Sequence, residues 1–562
     1  MSLLEQHFDV AFAAPDGIKK LRELILTLAM QGKLVPQDPN DEPASELLRS
    51  IELEKELLVK EGKIKDTKTL PPIALIDIPS RLPNLWQWTR IETICEIIVD
   101  CPHSTAKFIP DGIICIDTNS FKGGDITYHK LRYVSEETYL DRINRLSPQA
   151  GDVIFAREGS VGESVIIPTG MQCCLGQRVM LFRPTKGVLS RYLQLSISNP
   201  LFLTRLLSVY KGIGAKHVNV KDMRNALISL PPLAEQHRIL AKIDQLMARC
   251  DELEKLRIDR SQRLLTVHTA ALDRLLTAKD SSEFSTAWSF ITQHFGELYS
   301  VKENVVELRK TILQLAVMGK LVRQDPNDEP ASELLRSIEL EKQRLVKEGK
   351  IKQSKPSPDI NLKEVPYDLS SGWEWANLQD VLALVTDGDH QAPPKSDTGI
   401  PFLVIGNLNT GKVSLENCRF VPHDYYESLD WGRKPATNDI LYTVTGSYGI
   451  PIFIDSDLEF CVQRHVAILK SAKSSPVEYL LHLLKSSYAL KYATSVATGI
   501  AQKTVPLNGL RKMLIAVPPL AEQGRIVEKI DRLMGMCDRL EESISSGKSK
   551  QTDLLNALMP QL

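Results

Sequence analysis

The chain lacks the features of an exported or membrane-inserted protein. Its first twenty residues show no basic start followed by an apolar run, so a signal peptide is not predicted. No stretch approaches the roughly eighteen consecutive apolar residues that a transmembrane helix needs. The nine cysteines are scattered and form no C-x-x-C pair, which favours reduced thiols over a disulfide or zinc framework. These absences predict a cytoplasmic protein with no membrane contact.

Motifs that bind cofactors or activate substrates are also missing. No G-x-G-x-x-G follows a strand pattern, so no site for a dinucleotide or a methyl donor is recognisable. The stretch Gly406–Lys412 resembles a phosphate-binding loop, but Val413 stands where the hydroxyl that binds Mg²⁺ would be needed. The 11 histidines include no H-E-x-x-H pair, and no Gly-Ser pair has the G-x-S-x-G frame. The sequence predicts no catalytic residue and no metal site.

An excess of one charge sign is absent from the chain as a whole. The 562 residues include 69 Lys and Arg against 70 Asp and Glu, for a formal net charge of −1. The chain is therefore not a polycation that coats nucleic acid by charge alone. With 43% hydrophobic and 25% charged residues it has the composition of a globular protein, and its length suits roughly three to four domains.

The chain consists of two copies of one unit. Residues 37–55 and 324–342 share nineteen identical letters, QDPNDEPASELLRSIELEK, and their offset, 324 − 37, is 287. PPLAEQ recurs at 231–236 and 518–523 with the same offset. Residues 1–275 therefore match 288–562, and the Ser/Thr/Asp-rich stretch 276–287 is predicted to be a connector.

The two copies differ mainly in their middle parts. Residues 66–229 and 353–516 have equal lengths but share few letters, whereas the flanking parts are nearly duplicated. A constant frame with two divergent inserts suits recognition of two different targets at a fixed mutual geometry. The alternative is a plain duplication that drifted, but drift alone would not spare nineteen consecutive residues while it erased their neighbours.

The frame is predicted to be helical and the inserts mixed. After Pro231 the apolar residues Ile239, Ile243, Leu246 and Cys250 follow heptad spacing, which suits packing against another long helix, and the second copy repeats the pattern. A helix over about 233–275 would span roughly 65 Å at 1.5 Å per residue. Each insert has two apolar runs around a Gly-Ser pair, which predicts a hairpin, followed by a helical stretch. The tryptophans that recur in both copies are interpreted as core: Trp86, Trp88, Trp373 and Trp375.

Four segments carry a resemblance to a known family. They are QGKLVPQDPNDEPASELL, its counterpart MGKLVRQDPNDEPASELL, and the helix starts PPLAEQHRILAKIDQLM and PPLAEQGRIVEKIDRLM. A Gly-x-x-x-Lys loop precedes each Pro-Pro pair, at Gly212–Lys216 and Gly499–Lys503. Over essentially its full length, the chain resembles the DNA-specificity subunit of a type I restriction–modification enzyme. It departs from the common pattern in one respect, because the first segment often lies mid-chain and here also stands near the N-terminus.

The resemblance implies an α+β fold, with two similar mixed α/β target recognition domains joined by long antiparallel coiled-coil helices. Each recognition domain would read one half of a bipartite asymmetric DNA site, and the constant helices would set the spacer. The predicted domains are an N-terminal constant helical region, 1–79; recognition domain 1, 80–230; a central constant region with long helix, linker and helical repeat, 231–365; recognition domain 2, 366–517; and a C-terminal constant helix, 518–562.

The resemblance also implies a non-catalytic chain inside a larger enzyme. The expected partners are double-stranded DNA, two modification (methyltransferase) subunits and restriction (endonuclease/translocase) subunits. No cofactor is expected on this chain, whereas S-adenosylmethionine, ATP and Mg²⁺ are expected on the partner subunits, which methylate adenine or cleave DNA. Residues 81–229 hold 18 Lys and Arg against 13 Asp and Glu, a net +5, whereas 368–516 sum to about −2. Bulk charge therefore does not explain DNA binding by the second insert.

The candidate DNA contacts are polar side chains near the predicted hairpin turns and in the closing loops, which are the Gly-x-x-x-Lys loops near the end of each insert. Such groups meet base edges in the major groove. The alternative for each is a solvated loop side chain or a turn cap. The candidates in the first insert are Arg157, Ser160, Gln177, Arg178, Lys216 and His217, and those in the second are Thr445, Ser447, Arg464, His465, Gln502 and Lys503.

The polar starts of the two heptad helices are candidate contacts to a modification subunit, with helix capping and first-turn charge as the alternative. These residues are Glu235, Gln236, Arg238, Glu522, Gln523 and Arg525. Two other functions stay open on sequence alone. One is a coiled-coil assembly scaffold with protein-binding inserts, and the other is a self-sufficient methyltransferase or nuclease, which the missing motifs disfavour.

Overall fold

The structure is a computed structural model that describes residues 3–65, 70, 72–102, 104–208, 217–353, 357, 360–361, 365–390, 393–500 and 502–559. The chain divides into two compact units. The first comprises Met1–Ile258 with Lys548–Leu562, and the second comprises Asp259–Gly547. The end of the chain therefore belongs to the same unit as its beginning.

The first unit combines constant helices with a mixed insert and the first part of a long helix. Its elements in chain order are α1 (Leu3–Phe12), α2 (Gly17–Met30), α3 (Ala44–Lys60), β1 (Gln87–Arg90), α4 (Ile91–Ile94), β2 (Cys95–Asp100), β3 (Phe108–Ile109), β4 (Ile113–Ile116), β5 (Phe121–Lys122), β6 (Asp125–Ile126), β7 (Arg132–Val134), α5 (Glu136–Arg142), β8 (Val153–Ala156), β9 (Ser164–Ile166), β10 (Cys173–Leu175), β11 (Val179–Pro184), α6 (Ser190–Ile197), α7 (Pro200–Ser208), α8 (Val220–Asn225), β12 (Leu227–Leu230) and α9 (Leu233–Thr277), which ends in the second unit.

The insert of the first unit is built around an antiparallel sheet in the order β2-β11-β8-β9. This sheet is buried on both faces, because successive side chains of a strand point to opposite faces and both sets are apolar. Phe155 and Phe182 pack with the helices on one face, whereas Ile154 and Leu181 pack with the second sheet on the other. That second sheet has the order β10-β4-β7-β3, with β10 and β4 parallel.

The second unit repeats this arrangement. Its elements are α10 (Ser281–Gln293), α11 (Phe295–Leu298), α12 (Lys302–Val317), α13 (Ala331–Lys347), β13 (Glu374–Asn377), β14 (Leu384–Asp387), β15 (Ile400–Leu403), β16 (Arg419–Val421), α14 (His423–Ser428), β17 (Ile440–Thr443), β18 (Pro451–Phe453), β19 (Cys461–Val462), β20 (Val466–Lys470), α15 (Val477–Leu484), α16 (Ser487–Val496), α17 (Leu507–Arg511), β21 (Leu514–Val517) and α18 (Leu520–Leu558), which ends in the first unit.

Equivalent strands of the two units pair in the same register. Phe155 lies opposite Ser164 in the hairpin β8–β9, and Tyr442 lies opposite Pro451 in the hairpin β17–β18, each 287 residues later. The predicted α+β fold with its internal repeat, hairpins and helical frame is confirmed. The first long helix was predicted over about 233–275 and is α9.

The predicted connector between the two copies is largely helical. Within 276–287, α9 continues to Thr277 and α10 begins at Ser281. Asp280 ends the short gap as an N-cap, because its carboxylate accepts hydrogen bonds from the backbone N–H groups of Ser282 and Glu283 at 2.9 and 2.8 Å. The Ser/Thr/Asp composition that indicated a loop instead supplies a helix start.

The heptad seam of α9 packs within its own unit, where the spacing had indicated another long helix as the partner. Ile239, Ile243 and Cys250 are buried against α2, Trp86 and the α6 residue Tyr192. In the second unit Ile526, Ile530 and Cys537 belong to the main core. No helix among the described residues has both the length and the apolar composition of a membrane span.

The last turns of α18 close the first unit. Leu555 and Leu558 are buried against Phe12, Ala14 and Leu24 of the first two helices and their connection. The end of α9 makes the matching contact in the second unit, where Leu272 and Leu275 share a core with Leu298 and Tyr299. Each unit is therefore completed by the end of the long helix that starts in the other copy.

One position in this closing contact differs chemically between the units. His268 is fully buried in the second unit, and its Nε2 lies 3.1 Å from the hydroxyl of Tyr299. Its Nδ1 has no hydrogen-bond partner among the described residues. The same positions of the first unit hold Leu555 and Phe12, an apolar pair. Burial lowers the pKa of His268, opposed by the charge of Glu307.

Replacing His268 by Leu together with Tyr299→Phe is expected to leave the second unit at least as stable at pH 7, because both polar partners are removed together. His268→Leu alone is expected to cost about 1–3 kcal/mol, since the buried hydroxyl then loses its partner. The depressed pKa means that the unfolded chain binds the proton first. Wild-type stability should therefore fall as pH drops below about 6.5 and level off below the folded-state pKa.

Denaturant unfolding between pH 5 and 8 tests this expectation. The double variant should show a flatter pH dependence than the wild type, and the difference between the two curves isolates His268 from the other histidines. Equal pH dependence in both proteins would contradict the assignment.

Candidate nucleic-acid interface

Three loops of the first insert meet at the end of its central sheet. The turn after β8 contains Arg157 and Glu158, the loop before β11 contains Arg178, and His217 precedes α8. Backbone hydrogen bonds join them, because Arg157 N–H donates to the carbonyl of Arg178 and Val218 N–H donates to the carbonyl of Arg157, both at 2.9 Å. The turn requires glycine at 159, where φ is +72°.

Five side chains form a continuous chain of polar contacts here, which we call the Arg157 cluster: Asp100, Arg157, Glu158, Arg178 and His217. Arg157 makes an ion pair with Asp100, and its Nη2 lies 2.8 Å from His217 Nε2. His217 Nδ1 lies 2.5 Å from Glu158 Oε1, and Glu158 Oε2 lies 3.5 Å from Arg178 Nε. An arginine donates to Nε2, so that nitrogen is the acceptor and Nδ1–H donates to the carboxylate.

The Arg157 cluster runs from the interior to the surface. The side chains of Arg157 and Asp100 are 8% and 19% exposed, whereas that of Arg178 is 62% exposed. Two carboxylates and two guanidinium groups alternate along it, so their formal charges cancel. The cluster therefore ends at the surface in an exposed arginine that is ion-paired with Glu158, and its four charged groups add no net charge there.

The sequence-predicted residues of the first insert fall into three groups. Ser160 and Arg178 are exposed, and Gln177 and His217 are half-buried. Arg157, also predicted to contact DNA, is buried and paired with Asp100 and His217, and its predicted contact stays a prediction. Lys216 lies outside the described residues.

The second insert has the same backbone arrangement with different side chains. Val444 N–H donates to the carbonyl of His465 at 3.0 Å, and Val505 N–H donates to the carbonyl of Val444 at 2.8 Å. These bonds match those of Arg157 and Val218 at an offset of 287. Thr445 and Thr504 form the β-bridge that Glu158 and His217 form in the first unit, and their hydroxyls lie 3.3 Å apart.

The structure separates the predicted residues of the second insert in a similar way. Ser447, Arg464, Gln502 and Lys503 are exposed, and His465 is half-buried. Burial lowers the pKa of His465, and the neighbouring charge of Arg464 lowers it further. The Lys503 carbonyl accepts from Gly446 N–H at 3.1 Å, which joins the closing loop to the hairpin turn. Thr445 is buried against Thr504, and its predicted DNA contact stays a prediction.

The predicted docking residues at the helix starts prove to be internal contacts. Glu235 is buried and accepts hydrogen bonds from Trp86 Nε1 at 3.0 Å and from Gln37 Nε2 at 2.5 Å. Glu522 is likewise buried and accepts from Trp373 Nε1 at 3.0 Å. Burial raises the pKa of both carboxyl groups, opposed by these hydrogen bonds.

Gln236 and Gln523 are also buried. Gln236 donates to the carbonyls of Gly187 and Pro231, and Gln523 donates to that of Pro518 at 2.7 Å. Glu235, Gln236, Glu522 and Gln523 therefore serve internal contacts in this chain, and their predicted contact with a modification subunit stays a prediction.

Arg238 and Arg525 remain partly exposed, and each pairs with an aspartate of the duplicated QDPNDEP block. Arg238 donates to Asp41 through Nη1 at 3.1 Å, and Arg525 donates to Asp328 through Nη1 at 3.3 Å. Together with the Gln37–Glu235 bond, these contacts join PPLAEQ-x-R to QDPNDEP. The two blocks that the copies share are therefore the two sides of one internal contact.

Comparison with known proteins identifies the family of the chain. The family described as "Type I restriction modification DNA specificity domain" matches two parts of the chain, residues 83–260 and 370–546. The chain belongs to this family of type I restriction–modification specificity subunits. One match contains the Arg157 cluster and the other contains the equivalent loops around Val444; we call these two sets of loops the loop clusters. This specificity subunit therefore has two recognition domains, which is consistent with a bipartite DNA site.

Curated relatives match nearly the whole specificity subunit. The type I restriction enzyme EcoAI specificity subunit of Escherichia coli is 35% identical, over 96% of this chain and 93% of the relative. The EcoEI specificity subunit of the same species is 34% identical with the same coverage. Among solved structures, the HsdS subunit from Thermoanaerobacter tengcongensis is 18% identical over 85% of this chain and 97% of that chain, with a TM-score of 0.40.

Two members of the loop cluster of this specificity subunit were not among the sequence-predicted residues. Glu158 is adjacent to the hairpin turn, and Asp100 ends β2. Asp387 occupies the position equivalent to Asp100 and lies 3.0 Å from His390 through Oδ2 and Nε2. An aspartate retained in two otherwise divergent inserts was the available indication. Within the described ranges, no group of three or more His, Cys, Asp or Glu side chains is arranged to hold a metal ion.

Proposed function

We propose that this specificity subunit is the non-catalytic DNA reader of a type I restriction–modification complex, and that each recognition domain reads one half of an asymmetric site. The observation that carries the proposal is the shared backbone of the two loop clusters, which hold different side chains at equivalent positions. Equal geometry with different side chains suits two half-sites of different sequence, because base identity is read by side-chain groups at base edges.

The proposed DNA-facing residues are those with surface access. In the first domain they are Ser160, Gln177, Arg178 and His217, and the predicted Lys216 is kept; in the second they are Ser447, Arg464, His465, Gln502 and Lys503. The insert charges of +5 and about −2 imply that partner subunits supply many phosphate contacts to the second half-site. The recognition domains are proposed to span 80–230 and 366–517.

The remaining parts form the frame, namely residues 1–79, 231–365 and 518–562. The long helices α9 and α18 of this frame are proposed to set the spacer between the half-sites. A helix of 45 residues spans about 67 Å, and one DNA turn is about 34 Å, so this length suits half-sites a turn or more apart. Two modification subunits are proposed to dock on this frame, with Arg238 and Arg525 at the partly exposed helix starts.

Catalysis is assigned to the partner subunits. S-adenosylmethionine would be bound by the modification subunits, whereas ATP and Mg²⁺ would serve the restriction subunits that cleave DNA. The complex is proposed to act in the cytoplasm. A coiled-coil scaffold for other proteins is disfavoured, because the family match covers both inserts rather than the frame alone.

Deleting the gene from its host is expected to remove one split adenine-methylation motif from the genome, on both strands. Methylome sequencing of the deletion strain and of a strain complemented with the intact gene measures this. A methylome that is unchanged, or that loses an unsplit motif, would contradict the proposed function. Methyl transfer by the purified chain alone would contradict its non-catalytic role.

A further inference from the structure

Arg178 has an unusual backbone conformation for an arginine. Its φ is +66°, a left-handed value that residues other than glycine rarely adopt and that persists where the surrounding structure enforces it. The enforcing contacts are visible. The carbonyl of Arg178 accepts from Arg157 N–H at 2.9 Å, and the carbonyl of Val179 accepts from Cys101 N–H at 3.2 Å. The main chain at this position is therefore held on both sides.

The side chain of Arg178 has a carboxylate neighbour on its Nε side. Its Nε lies 3.5 Å from Glu158 Oε2, while the other oxygen of that carboxylate lies 2.5 Å from His217 Nδ1. His217 is held in turn by Arg157, which is buried and paired with Asp100. The contact with Glu158 uses the Nε side of the guanidinium, while the side chain as a whole remains 62% exposed.

An exposed guanidinium on a restrained backbone, with a carboxylate beside its Nε, has a specific use at DNA. Two of its N–H donors match the O6 and N7 acceptors of guanine in the major groove, and this bidentate contact is the commonest specific one. The charge balance of the Arg157 cluster favours this use over general attraction to phosphate. Each guanidinium of the cluster is neutralised by a carboxylate, which weakens long-range attraction and preserves hydrogen-bond geometry.

We propose that Arg178 reads a guanine in the half-site of the first recognition domain, and that Glu158, His217, Arg157 and Asp100 are positioning residues for it. This inference rests on the proposed function, in which that domain reads one half of the site. The equivalent positions of the second domain are Asp387, Val444, Thr445, His465 and Thr504, which hold no guanidinium. Guanine reading by this arginine is therefore proposed for the first half-site alone.

Selection of bound DNA from a library that is randomised across both half-sites tests the proposal. The whole specificity subunit is used in complex with its modification subunits, and each variant is measured at several salt concentrations. The wild-type complex should require guanine at one position of the first half. Arg178→Ala and Arg178→Lys should each reduce that preference roughly ten- to a hundredfold and leave all other positions unchanged.

The lysine variant separates base reading from phosphate contact. Lysine keeps the positive charge but lacks the planar fork of donors. If Arg178→Lys retained the guanine preference, the planar fork of the guanidinium would not be what reads the base. If Arg178→Ala weakened binding equally for all bases with a shallower salt dependence, the residue would contact phosphate instead. Either result would overturn the proposal. A first half-site without any guanine requirement would also overturn it.

The positioning role has its own test. Glu158→Gln keeps the size of the side chain and removes the charge that holds Arg178, so it should lower the guanine preference while leaving thermal unfolding unchanged. Glu158→Asp, which restores the charge, should recover part of the preference. Arg145→Ala, at an exposed arginine of the same insert, is the matched control and should change nothing. An unaltered preference in Glu158→Gln would overturn the positioning role.

Failure of the inference and failure of the proposed function are distinguishable. In the first case the wild-type complex still selects a split site, but the Arg178 variants select the same bases. In the second case the wild-type complex selects no split site at all.

Discussion

Replacing Leu555 by Ala is expected to lower the free energy of unfolding of the first unit by about 2–5 kcal/mol, the usual cost of truncating a buried leucine. Leu555 is fully buried and lies near the end of the chain, yet its neighbours are Phe12, Ala14 and Leu24 near the beginning. Leu555→Asp should cost more, because a carboxylate in this apolar contact would have no partner. The second unit should keep its stability, since its own closing contact uses the end of α9.

Hydrogen exchange followed by mass spectrometry resolves the two units and measures this effect. Peptides of α1 and α2 should lose protection in the Leu555 variants, whereas peptides of α11 and α12 should not. Asn556→Ala is the matched control, since Asn556 is exposed on the same turn and its substitution should change neither unit. Equal loss of protection in both units would mean that the closing contact does not belong to the first unit alone.

This closing contact shows where sequence reasoning succeeds and where it stops. The offset of 287, the hairpins and the long helices were predictable because they depend on local periodicity and on comparison of the chain with itself. The pairing of Leu555 with Phe12 was not, because the heptad pattern shows that a helix has an apolar face but not which surface covers it. The seam residues Ile239 and Ile243 illustrate this, since they pack on α2 where another long helix was expected.

The candidate site was predictable only in outline. Turn glycines and polar loop residues located the loop cluster in the sequence. The spacing of these residues does not show which of them are buried and which are exposed. Arg157 and Arg178 have similar sequence surroundings, yet the first is buried beside Asp100 and the second is exposed. Asp100 and His217, which lie 57 and 60 residues from Arg157 in the sequence, contact its side chain, and such distant partners are not visible in local spacing. The internal partners of Glu235 and Glu522 were not predictable for a related reason. Gln37 lies 198 residues from Glu235, and Trp373 lies 149 residues from Glu522.

Exchange of one recognition domain should change one half of the recognised sequence completely and leave the other half intact. Replacing residues 81–229 with the insert of another family member retains β21, α18 and the whole second unit. It also retains Gln37, Asp41, Glu235 and Arg238, whose contacts join the two constant blocks. The spacer should stay the same, because the exchange leaves both long helices intact. The reciprocal exchange of 368–516 is the matched control and should change only the other half.

Methylome sequencing of cells that carry the 81–229 exchange tests the central claim most directly. The account predicts a split adenine-methylation motif with one new half, one unchanged half and the original spacer. A motif changed in both halves, or in neither, would contradict the assignment of one half-site to each recognition domain.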